Sequence, residues 1–274
     1  MTGEPDPLYV LARRALLDVL AALEPHLDSI ILIGAQAVYM HTGQVDLAVA
    51  EFTTDADLAI APEFLADTPS IGDLLEADKF VLQDDPGKWK TADGIQVDLL
   101  VPDALAGPGR RGARIPGHGN RVARRSRGIE GALVDSEVRG ISALDLADQR
   151  SFRVAVAGPA ALFVAKVHKI SERVNDPDRL VEKDALDVLR ILRSAPTQRL
   201  AEGFRGLLDS DIAHGVATEG LALATELMSY PDSPGPQMAA RAAGGLEDPD
   251  VVAASLATLW SDLWNEVQGG LDEN

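Results

Sequence analysis

The sequence predicts an α/β fold followed by a helical domain, and three observations carry that expectation. Short apolar runs of strand length alternate with helical stretches as far as about residue 157. From Pro159 onward the pattern is helical, broken by proline and glycine near 231–246. Hydrophobic residues make up 46% of the chain and aromatics only 4%, so a sizeable core must be built mostly from Leu, Val, Ile and Ala. The expected division is an α/β domain over 1–157 and a helical domain over 158–274.

Taken in order, residues 7–27 place Leu8, Leu11, Leu16, Val19, Leu20 and Leu23 near one face of a helix. The apolar run 29–33 reads as a strand ending at Gly34, and a helix over 35–41 follows directly and stops at Gly43. A strand over 53–60, a helix over 71–78 and a short strand over 80–83 come next. Residues 88–91 and 95–101 flank Ala92-Asp93-Gly94, which predicts a tight hairpin. The Gly-, Arg- and Pro-rich stretch 106–128 reads as a long loop, and 152–157 as the last strand. Helices are then expected over 159–174, 179–194, 197–208, 212–229 and 248–267.

Composition excludes several function classes. There is no cysteine, hence no disulfide framework, thiolate zinc site or cysteine nucleophile. The opening MTGEPDPLYV has no basic n-region, and no apolar run reaches the roughly 18 residues of a membrane span, so the chain is expected in the cytoplasm with no membrane contact. The formal charge of −18 disfavours nonspecific nucleic-acid binding. Against that trend, Arg110, Arg111, Arg114, Arg121, Arg124, Arg125 and Arg127 form an island with no acid among them. An even spread would put roughly 1.6 basic residues in that window. No GxxxxGK[ST] phosphate loop occurs, and the five histidines show no metal-ligand spacing.

The carboxylates carry the chemistry. Asp55-Ala56-Asp57 heads an apolar strand, and residues two apart on a strand face the same side. Asp98 lies within Ile95-Gln96-Val97-Asp98-Leu99-Leu100-Val101, a second apolar strand. Aspartate is depleted from strands and costly to bury unless paired, hydrogen-bonded or metal-bound. Three such groups brought together repel, and a magnesium ion relieves that repulsion. Chance alone supplies roughly seven acid-x-acid pairs at this composition, so it is the placement after strand, glycine and helix that matters.

Ile31-Leu32-Ile33-Gly34-Ala35-Gln36, then Thr53-Thr54-Asp55-Ala56-Asp57-Leu58, with Asp98 on a later strand, resembles the DNA polymerase beta-like nucleotidyltransferase superfamily. Within it the chain looks most like the AbiEii-type toxin family. The likeness covers most of 29–101. It implies a nucleotidyltransferase-type mixed sheet with flanking helices and a C-terminal helical domain. It also implies an NTP as substrate, with Asp55, Asp57 and Asp98 as catalytic magnesium ligands and Asp98 also as general base. Gly34, Ala35 and Gln36 would meet the phosphates. Lys166, in Ala165-Lys166-Val167-His168-Lys169-Ile170-Ser171-Glu172-Arg173, would contact the triphosphate, with Lys169 the alternative. Asp184, in Lys183-Asp184-Ala185-Leu186-Asp187, would orient the triphosphate or a neighbouring basic group. An amphipathic helix with solvated Lys and Arg is the plainer reading of the same stretch.

The family shows Gly-Gly, Gly-Ser or Gly-Thr where this chain has Gly34-Ala35-Gln36. Backbone N–H groups at a helix start still bind anions, and Thr53 or Thr54 are the candidates to replace the lost hydroxyl. The resemblance implies transfer of a nucleoside monophosphate to an acceptor hydroxyl, either RNA held by the arginine island, as a toxin with a protein antitoxin would act, or a small aminoglycoside-like molecule. A member kept only for nucleotide or partner binding is the third reading.

Overall fold

A computed structural model describes residues 5–43, 52–174, 176 and 182–272. It is an α/β protein with a mixed sheet, flanking helices and a C-terminal helical region, and it divides into two compact units. The first comprises Met1–Ala37, Glu51–Ile129 and Ser136–Ala157; the second comprises Val38–Ala50, Glu130–Asp135 and Gly158–Asn274.

In the first unit, helix α1 (Pro7–Ala22) starts with Pro7 in its first turn, where the missing N–H is no loss, and the Asp6 side chain accepts from Leu8 N–H. It ends earlier than the apolar pattern suggests, because Pro25 diverts the chain into a 3-10 turn over Glu24–Ser29. Strand β1 (Ile30–Ile33) is buried at every position and feeds α2 (Gly34–Thr42), of which the first unit includes the part up to Ala37. Then come β2 (Asp55–Ile60), α3 (Ile71–Ala77), β3 (Val81–Leu82), β4 (Lys88–Lys90) and β5 (Gln96–Pro102). β6 (Arg124–Ser126), β7 (Ser136–Ser142) and β8 (Ser151–Ala157) complete the sheet.

The strand order is β3-β4-β5-β2-β1-β8-β7, with β6 added on β5. β1 runs antiparallel to β2 and parallel to β8, while β2 and β5 are parallel. The expected hairpin is β4-β5, closed by Thr91 N–H to Ile95 O at 2.9 Å. Its Trp89 is fully buried, with Nε1–H donating to Val122 O at 2.9 Å. α1 packs on β2 and β5, so Leu16, Leu20 and Leu23 join Leu32, Leu58 and Leu99 in the core.

One expectation needs correction here, and one strand was not predicted. Residues 106–128 are not one long loop: β6 pairs parallel with β5, and Ala113 N–H to Ala123 O and Arg125 N–H to Arg111 O brace it from the other side. The buried residues Ala113, Ile115, Val122 and Ala123 hold this segment down. β7, an exposed edge strand whose side chains are mostly polar, lacks the apolar run that marks the others.

In the second unit, α4 (Pro159–Arg173) packs on α5 (Lys183–Ser194), α6 (Thr197–Leu208) and α7 (His214–Met228). Phe163 at its centre meets Phe204 edge-on at 5.4 Å and stacks on Trp260 at 5.6 Å. Trp260 belongs to α9 (Pro249–Asp272). The break expected near 231–246 contains a helix, α8 (Pro234–Ala242). Pro234 and Pro236 both fall in its first turn, where no intrahelical donor is needed. The part of the expected 179–194 helix over 179–181 lies outside the described residues. Among the described residues no helix is long and apolar enough to cross a membrane.

Candidate nucleotide and metal site

The pairing of three strands puts two aspartates side by side. Ile33, the last residue of β1, is the register partner of Asp57 on β2, and Asp57 is in turn the partner of Asp98 on β5. Partners on neighbouring strands project from the same face of a sheet. Both carboxylates are nearly enclosed, Asp57 at 7% and Asp98 at 5% exposure. Directly after Ile33 the chain turns at Gly34 with φ +72°. A Cβ there would lie 2.9 Å from both Cβ and Cγ of Asp57 and collide with its Oδ2. The position therefore demands glycine twice over, for its φ and for the closeness of the acid.

Burial raises the Asp98 carboxyl above its ordinary value, and the neighbouring Asp57 charge raises it further. Arg124 and Gln96 oppose the shift without cancelling it. Arg124 Nη2–H donates to Asp98 Oδ2 at 2.9 Å, and Gln96 Nε2–H to Asp98 Oδ1 at 2.9 Å. Asp55 sits two residues before Asp57 on the same strand face, half-buried, and its Oδ1 accepts the Thr53 hydroxyl at 2.6 Å. Among the described residues no set of three or more His, Cys, Asp or Glu groups is arranged to hold a metal ion. The fit therefore rests on the Asp57–Asp98 pair. Two buried carboxylates in register, one pushed up by the other's charge, suit magnesium, which is commonly bound through one or two carboxylates together with phosphate oxygens and water.

The other residues expected at the phosphates divide. Ala35 is buried behind Gly34. Gln36 is buried too, and each of its amide atoms is engaged: Oε1 accepts from Arg13 Nε at 2.9 Å, and Nε2 donates to Ala12 O at 3.1 Å and Asp55 O at 3.0 Å. It clips α1 and α2 to the head of β2. Thr53 is buried with its hydroxyl given to Asp55, while Thr54 is exposed.

In the helical unit, Lys166 and Asp184 do come together. The Lys166 ammonium, in a residue 4% exposed, donates to Asp184 Oδ1 at 2.7 Å and Asp187 Oδ2 at 2.6 Å. Burial alone would lower the lysine, but the two carboxylates outweigh it and hold the ammonium well above its ordinary value. Burial likewise works to raise Asp184, yet Lys166 first, then Lys169 and Arg173, bring it below the ordinary carboxylate value. Lys169 itself is half-buried. Asp187 had no role in the sequence reading. Its spacing of three from Asp184 on one helix was the signal, since such pairs share a face.

The arginine island is mostly committed. Arg111 pairs with Asp85 at 3.3 Å, Arg124 with Asp98 at 2.9 Å and Arg125 with Asp103 at 2.6 Å. Arg121 donates to the backbone of Gln83 and Asp84 at 3.0 Å each. Arg110, Arg114 and Arg127 are exposed. Of the five histidines, His26 and His118 are buried edge to face at 5.4 Å, and His168 bonds Val216 O at 3.0 Å. Compared with known proteins, the chain matches no family model, no curated protein and no solved structure.

Proposed function

We propose that the chain is a magnesium-dependent nucleotidyltransferase, an enzyme that moves a nucleoside monophosphate from an NTP to an acceptor hydroxyl. The observation that carries this reading is the Asp57–Asp98 pair aligned across β2 and β5 beside the Gly34 turn. Asp57 and Asp98, with Asp55 next along the strand, are the residues that would hold the ion. Magnesium bound there would stabilise negative charge on the phosphate oxygens. The new bond joins the acceptor oxygen to the α-phosphorus, the bond from that phosphorus to the bridging oxygen breaks, and pyrophosphate leaves. Asp98 would take the acceptor hydroxyl proton. Gly34, lacking a side chain, lets the Asp57 carboxylate lie against the start of α2.

A specific observation bears on the acceptor. Four island arginines, at 111, 121, 124 and 125, are bound to acids or carbonyls of the protein itself. With a net charge of −18, this favours a cationic small acceptor of the aminoglycoside kind over RNA. The toxin reading, with an RNA acceptor and an antitoxin partner, stays as the rival. Purified protein incubated with each labelled NTP and magnesium, with total tRNA in one arm and an aminoglycoside in the other, tests both. Label reaching the aminoglycoside supports the first, and label reaching tRNA supports the toxin. Label that still moves in Asp57→Ala would sink the assignment of the site.

A further inference from the structure

Asp98, the register partner of Asp57, is met by the Arg124 guanidinium, and the way that guanidinium is held bears on how the site would take up a cation. The Arg124 backbone is fixed from both sides. It is the register partner of Leu100 on β5, and Arg125 N–H reaches Arg111 O at 2.9 Å. Gly87 wedges against the same point with φ +73°, its N–H on Arg121 O and its carbonyl on Leu99 N–H at 2.8 Å each. The side chain, by contrast, is underused. Its ion pair with Asp98 runs through one Nη2–Oδ2 contact, where a guanidinium can offer two parallel bonds to a carboxylate. Its Nε is buried with no hydrogen-bond partner, and the side chain remains 29% exposed. Lys88, across from Asp98 in the β4-β5 register, is bonded to Asp85 at 2.9 Å.

The geometry points to Arg124 as an internal competitor for the divalent cation. It is a positioning residue that occupies an Asp98 oxygen in the metal-free protein and must release it before an ion binds across Asp57 and Asp98. This inference rests on the reading of that pair as the cation site. An arginine is always charged, so the competition is not relieved by pH in the physiological range. A single contact with an unsatisfied Nε is an arrangement from which the side chain can swing without breaking a second bond to the acid. Arg124 therefore sets the ion concentration at which the site loads.

The test is calorimetric titration of nucleotide-free protein with Mn2+ and Mg2+. Wild type is compared with Arg124→Gln, Arg124→Lys, Arg111→Gln and Asp57→Asn. Arg124→Gln should bind the ion about tenfold more tightly, the size expected when one charge-assisted hydrogen bond no longer competes. Arg124→Lys should fall between it and wild type. Arg111→Gln removes a positive charge from the same segment without touching Asp98, and should bind as wild type does. Equal tightening in Arg111→Gln and Arg124→Gln would reduce the effect to net charge and overturn the inference. Unchanged or weaker binding in Arg124→Gln, with wild-type binding abolished in Asp57→Asn, would also overturn it while leaving the cation site standing. Absence of binding in every variant would remove the cation site and this inference together.

Discussion

Two clusters of buried acids, one in each unit, behave in opposite ways. Asp98 and Asp184 are the same residue type at the same 5% exposure, yet Asp98 is raised above its ordinary value and Asp184 is lowered. Burial works to raise both. The difference lies in the countercharge. Asp184 and Asp187 share a fully enclosed ammonium, and Arg173 adds a second cation to Asp184 at 3.3 Å. Asp98 faces Asp57 and meets the Arg124 guanidinium through a single contact. In the helical unit a cation sits between the two acids, although Asp187 Oδ1 has no hydrogen-bond partner, whereas in the sheet the neighbour that Asp98 faces is a second acid. In this protein a buried acid is a functional candidate where its charge is left unbalanced, not merely where it is buried.

The largest expected effect is on the helical-unit cluster. Lys166→Met would leave Asp184 and Asp187 buried without the ammonium they share, with Lys169 and Arg173 the weaker influences remaining on Asp184, and breaking a buried ion group costs about 3–5 kcal/mol. Urea unfolding of the variant at neutral pH reads this directly. Loss of less than about 1 kcal/mol would mean that the cluster is open to water and that the contrast with the sheet acids is false.

The second prediction concerns the sheet. Asp57→Asn removes the charge that Asp98 faces and should stabilise the metal-free protein by about 1 kcal/mol near neutral pH, as expected when a carboxylate is relieved of a like-charged neighbour. The sign with pH follows from linkage. Between the ordinary carboxylate value and its raised folded value, Asp98 binds more protons folded than unfolded, so its contribution to stability falls as pH rises through that window. Asp184 does the reverse: its contribution is present above the ordinary value and is lost as pH falls through the lowered one. Unfolding followed across pH should show the Asp98 slope flatten in Asp57→Asn and the acid-side slope of Asp184 persist. An unaltered profile would break the link between the two sheet acids.

The sheet acids were legible in the sequence because a strand alternates with period two and aspartate is out of place in an apolar run. Asp55, Asp57 and Asp98 announce themselves that way, and Gly34 does so by ending a strand where a helix begins. What decides their charge balance was not legible. Arg124 reaches Asp98 across 26 residues through a parallel strand hidden in a glycine-rich segment, where the few apolar residues are too scattered to give a period. Gln36 reads as a polar residue at a helix start, and only the packing of α1 against β2 turns it inward to Arg13 and Asp55. Proline misled in the opposite direction at α8, since Pro234 and Pro236 begin the helix rather than break it. Local patterns thus found the elements, and long-range pairing assigned their partners.

The smallest effect asks whether the helical-unit cluster holds more countercharge than it needs. Arg173 meets Asp184 at 3.3 Å with its side chain 24% exposed, and its Nε has no hydrogen-bond partner. Lys166 already spans both acids at shorter distance. Arg173→Gln should therefore lower stability by no more than about 1 kcal/mol, the range of partly exposed pairs. It should also leave Asp184 below its ordinary value, because Lys166 is the larger influence on it. Combining Arg173→Gln with Lys166→Met would separate the two cations in a double-mutant cycle. If Arg173 merely supplements the lysine, the arginine change costs more in the Lys166→Met background than in wild type. If the two losses add, each cation acts on Asp184 independently and the cluster has no spare charge, which would narrow its contrast with the sheet acids.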